Sequence, residues 1–131
     1  MPELNRDDAL RQSIIGITAV YGGGICHFEN LTLTMLNKLI ENRFVDLDDK
    51  QNYNAPTIRE YWELLKKYPD EPITLHGYIV SPERDDYRIS IEGLKGESRN
   101  TDFIRDFRAL CVRHPCGEII ISCNYQYCWY D

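Results

Sequence analysis

The chain has 131 residues, of which 43% are hydrophobic and 27% charged, with a formal net charge of -6 at pH 7. That length supports one domain with its own core, spanning residues 1–131. The acidic balance repels a phosphate backbone, which argues against non-specific nucleic-acid binding. The apolar stretch "IIGITAVY" near the start is far shorter than the roughly 20 residues of a membrane-spanning helix.

The opening "MPELNRDD" is acidic where a secretory signal would be basic. Five cysteines are an odd number and favour reduced thiols over a disulfide framework. Together these features point to the cytoplasm.

In chain order, Asn5 is placed to cap a first helix, with Asp7 and Asp8 near its positive end. Leu10, Ile14, Ile17 and Tyr21 recur at helical spacing, although the β-branched run from Ile14 to Val20 also suits a strand. The glycines at 22–24 stop this element; they lack the GK[ST] ending of a phosphate loop. A second helix follows "ENLTLT", with Leu33, Leu36, Leu39, Ile40 and Phe44 as its apolar stripe. The segment 46–54 is polar and reads as a loop.

The clearest helix follows. Thr57 and Glu60 have capping-box spacing, Ile58, Tyr61, Trp62, Leu65 and Tyr68 share a face, and Pro69 ends it. The period then changes to two. "ITLHGYIV" (73–80) and "YRISIEGL" (87–94) alternate, with turn chemistry in "SPERDD" between them. An in-register pair sets Ile73, Leu75 and Ile79 against Tyr87, Ile89 and Ile91. It also places Thr74, His76 and Tyr78 on one face with Arg88, Ser90 and Glu92.

Asn100 or Thr101 can cap a fourth helix with the stripe Phe103, Ile104, Phe107, Leu110 and Cys111, closed by Pro115. Residues 119–129 alternate throughout and read as one long C-terminal strand. Its apolar face would hold Cys123, Tyr125 and Tyr127, with Cys128 opposite. The expected fold is α+β: an antiparallel sheet of three or more strands with about four helices packed on one face.

Two constellations carry chemistry. His76, Tyr78, Arg88, Ser90 and Glu92 project together from the hairpin and form a candidate ligand site, with His76 and Glu92 compatible with acid–base work. Cys111, His114 and Cys116 are candidate metal ligands within "CVRHPC". Their CxxHxC spacing is not a paired zinc knuckle, and His114 at a helix end is expected to meet the last carbonyls. No catalytic residue, cofactor or metal is assigned.

"NAPTIREYWELL" resembles the start of the second helix in some winged-helix repressors, which implies DNA binding as one alternative. Where a recognition helix should follow, "KKYPDEPITLHG" leads into a strand instead. The favoured function is a small non-catalytic binding or protein-interaction domain. Its partner would be a protein or a small-molecule ligand, with a homodimer through the C-terminal edge strand as a further option. The main alternative is a small enzyme or metal- or ligand-binding protein using the His76/Glu92 face or the Cys111–Cys116 segment.

Overall fold

The computed structural model describes residues 4–15, 25–49, 54–81 and 83–130. Ile17, Tyr21 and the glycines at 22–24 lie outside the described residues. Among those described are four helices and a five-stranded antiparallel sheet, the expected α+β fold. The helices are α1 (Asp8–Ile14), α2 (Leu33–Glu41), α3 (Ile58–Lys67) and α4 (Thr101–Arg113). The strands are β1 (Ile25–Leu31), β2 (Ile73–Val80), β3 (Ile89–Gly96), β4 (Glu118–Ile121) and β5 (Gln126–Trp129), in spatial order β1-β2-β3-β5-β4. No described helix is long and apolar enough to cross a membrane.

The helices begin where side chains satisfy their first N–H groups. Asp7, rather than Asn5, caps α1 by accepting from the Leu10 amide, while Asn5 accepts from the Asp7 amide. Thr32 caps α2, and Thr57 and Glu60 complete a reciprocal capping box on α3. Asn100 caps α4 by accepting from the Asp102 and Phe103 amides. One hydrophobic cluster joins Leu36 and Leu39 of α2, Ile58, Tyr61 and Leu65 of α3, and Phe103, Phe107 and Leu110 of α4. These meet Leu75, Ile79, Ile89, Ile91, Leu94 and Cys128 of the sheet.

Four expectations change. The strand β1 was not foreseen; "ICHFENL" lacks clean alternation, and its place is set by pairing with β2. The expected in-register β2–β3 pairing holds at Gly77↔Ile91 and Ile79↔Ile89 but not beyond, because Glu92 is an extra residue. Leu75 therefore opposes Leu94, and His76 opposes Gly93.

The single C-terminal strand is a hairpin, β4–β5. Ser122 turns it by accepting from the Tyr125 amide while its own N–H bonds the Tyr125 carbonyl. The turn reverses the facing of the cysteines: Cys123 is exposed at the tip and Cys128 is buried. Tyr125 and Tyr127 are only half-buried, whereas Tyr130 is in the core. Finally, β5 is an inner strand between β3 and β4, so the sheet edge near the C-terminus is β4.

Candidate functional site

His76 is the point about which the sheet is distorted. On one side Phe28 opposes Gly77 and Leu31 opposes Leu75, so Glu29 and Asn30 together face His76. Asn30 takes a left-handed φ of 60°, a conformation asparagine tolerates better than most residues. On the other side Glu92 is inserted between the residues opposing Gly77 and His76. Both neighbours of β2 thus carry an extra residue at the same level. Bulges of this kind bend a strand and re-aim its side chains.

The imidazole lies over Gly93. A Cβ built there would come within 2.4 Å of His76 Cε1 and 2.0 Å of the Cys128 carbonyl oxygen. With no side chain at 93, His76 leans across β3 toward β5 and stacks on Trp129 and Tyr127. The ring centroids are 5.0 and 5.2 Å away, at interplanar angles of 8° and 15°. His27 adds a fourth ring, 6.1 Å from Trp129. Such offset pairs are worth about 0.5–1.5 kcal/mol each beyond area burial.

Above this stack opens a pocket of about 190 Å³, lined by His27, Glu29, Thr74, His76, Lys95, Tyr127 and Trp129 among others. His76 is only 6% exposed, and neither ring nitrogen makes a hydrogen bond of ordinary geometry among the described residues. Burial pushes its pKa below the usual histidine value, outweighing the Cys128 backbone beside it, so the ring is neutral at pH 7.

The five hairpin residues are only partly united. Tyr78 opposes Ser90, the Arg88 guanidinium donates to the Tyr78 hydroxyl at 3.3 Å, and the Ser90 hydroxyl donates to Glu92. His76 turns away toward β5, and its nitrogens do not meet the Glu92 carboxylate. Nor is this a wet face at those positions: Ser90 and Glu92 are buried. Sequence reasoning missed His27, Glu29, Lys95 and the pairing of His76 with the two aromatics of β5. The alternation of Tyr127 and Trp129 was visible, but not which strand they would join.

"CVRHPC" is a junction. His114 caps the end of α4, its backbone N–H bonding the Leu110 carbonyl. Its side chain does not turn to the helix carbonyls as expected. Instead Nε2 lies 2.8 Å from Glu60 Oε2 on α3, and the Tyr130 hydroxyl donates to the His114 carbonyl. Cys111 sits beside Cys128 and Cys116, with Tyr130 alongside. Hydrogen bonding to Cys111 together with burial holds the Cys128 thiol well above its ordinary pKa, so it is protonated. Among the described residues no three His, Cys, Asp or Glu side chains converge as a metal-binding group.

Comparison with protein-family models, with curated proteins and with solved structures found no match, so the fold and the His76 pocket carry the functional argument by themselves.

Proposed function

We propose that this chain is a non-catalytic binding domain that takes a flat, single-ring group in the pocket over His76. The observation that carries this reading is the double distortion of the sheet about His76, which opens a pocket floored by stacked rings. A cavity of about 150 Å³ lined by apolar side chains accommodates benzene. The pocket here, about 190 Å³, has room for one substituted ring. Drug-sized ligands occupy about 300–1,000 Å³. His76 supplies one polar contact in an otherwise apolar floor, neutral and apart from any partnered carboxylate, which suits recognition better than proton transfer. The odd cysteine count supports a reducing compartment, the cytosol.

The test uses the full chain carrying Trp62→Phe, so that Trp129 alone reports by fluorescence. Titration with p-cresol is expected to change Trp129 emission saturably and to shift the His76 imidazole NMR resonances. A flat response in both, up to the solubility limit of the probe, would overturn the reading.

A second reading concerns partners. β4 is an edge strand whose Ile119 and Ile120 are 48% and 49% exposed, and its central residues carry no charge or proline to block pairing. We infer that it pairs antiparallel with β4 of a second copy about a two-fold axis, setting Ile120 against the partner's Ile120 on the axis. Four residues bury little area, so a weak dimer is expected. Light scattering should show mass rising with concentration, and Ile120→Lys should abolish the rise. A monomer at every concentration would exclude it.

A further inference from the structure

The ring-binding reading leaves two charges unexplained. Glu29 on β1 and Lys95 on β3 both line the pocket, and both act electrostatically on His76. Among the described residues neither is in an ion pair. They flank β2 from opposite sides, because Lys95 opposes Thr74 and Glu29 falls in the bulge opposite His76. Two strand spacings across and two residues along the strand separate their backbones by about 12 Å, and both side chains are long enough to reach over the pocket mouth. The site therefore offers an aromatic floor, a cation on one rim and an anion on the other.

We propose that the pocket over His76 takes a free aromatic amino acid. Its ring lies against the Tyr127–His76–Trp129 stack, its carboxylate pairs with Lys95 and its ammonium with Glu29. This rests on the ring-binding reading above. The two rim charges decide between sources of the ring. An aromatic residue inside a peptide carries neither charge, and one at a chain end carries only one of them. A free amino acid carries both, close together, beside its ring. A nucleotide has a ring, but its phosphates would meet Glu29 and an acidic protein of net charge -6. Its sugar and phosphates would also lie outside a pocket of about 190 Å³.

Isothermal titration of the full chain with L-phenylalanine, and with N-acetyl-phenylalaninamide, which keeps the ring and loses both charges, tests the proposal. Each partly exposed ion pair is worth about threefold in affinity, so phenylalanine should bind about tenfold more tightly than the uncharged analogue. Lys95→Gln and Glu29→Gln should each weaken phenylalanine about threefold and leave the analogue unchanged. Equal binding of the two ligands would overturn the proposal while leaving the ring site standing, and binding of neither would remove the ring site as well. A peptide ending in phenylalanine that binds as tightly as the free amino acid would overturn the role given to Glu29.

Discussion

Gly93 is the position on which the geometry of the pocket depends, and Gly93→Ala is the most direct test of it. The new methyl would meet the Cys128 carbonyl oxygen at 2.0 Å, His76 Cε1 at 2.4 Å and His76 Nε2 at 2.7 Å. The carbonyl belongs to the strand paired with β3, so it cannot rotate away as a side chain would. The imidazole can move, but only by giving up its place against Trp129 and Tyr127. Overpacking at a well-filled site costs about 1–3 kcal/mol, and a lost ring contact adds about 0.5–1.5 kcal/mol. The expected loss is about 2–4 kcal/mol, read by urea unfolding, with a fall in Tm of about 6–15 °C. In a His76→Ala background two of the three close contacts are gone, so the same substitution should cost at least about 1 kcal/mol less. Gly117→Ala is the control: among the described residues its Cβ would have only the Trp129 carbonyl oxygen nearby, at 3.8 Å. If Gly93→Ala leaves stability within about 0.5 kcal/mol of the parent, the imidazole does not lie over β3 and the reasoning fails.

Arg11 is fully buried and bonds Asp8 at 2.9 Å, while the Tyr87 hydroxyl donates to the same carboxylate at 3.1 Å. Burial alone would raise the Asp8 pKa, but the bonds from Arg11 and Gln12, the Arg11 charge and Tyr87 together pull it below the ordinary value. A depressed carboxylate stabilises the fold above its unfolded pKa of about 4 and loses that contribution as pH falls through the folded value. Asp8→Asn should therefore flatten the acid limb of a stability–pH curve below about pH 4, and an unchanged limb would contradict the assignment. Glu60 completes the α3 capping box and meets His114, so Glu60→Ala should cost about 1–2 kcal/mol by thermal melting, with Glu63→Ala near neutral. Equal losses for the two would sink this account. Alkylation at neutral pH followed by mass spectrometry should label Cys123 first and Cys111 and Cys128 last, the order of their burial. Fast labelling of Cys128 would mean that the β4–β5 turn is misplaced.

The His76 pocket shows where legibility stopped. Tyr78, Arg88, Ser90 and Glu92 were recognised together because they alternate on two adjacent strands, and three contacts do link them. His76 was assigned to the same group by parity. A single inserted residue, Glu92, changed that parity, since a slip of one moves every later side chain to the other face. The turn at Ser122 was hidden for a related reason. Tyr, Cys and Ile alternate smoothly through 119–129, and the reversal rests on a serine hydroxyl rather than on glycine or proline. Serine and asparagine in "SCNY" were the available signal.

The amino-acid sequence by itself determined the helices α2, α3 and α4, the caps of α3 and α4, the existence of the β2–β3 hairpin and the net negative charge. The helices and their caps follow from groups within four residues of one another along the chain, the two hairpin strands from their own alternation and the turn residues between them, and the charge from a sum, so none needs a distant partner. Tertiary structure decided that "ICHFENL" is a strand, that β5 lies inside the sheet with β4 at its edge, and that both neighbours of β2 bulge at His76. Strand pairing joins backbone groups tens of residues apart, and its register is fixed by whichever alignment buries the core side chains on both partners at once. No local pattern contains that information, which is why the ring-lined pocket emerged only when the five strands were assembled.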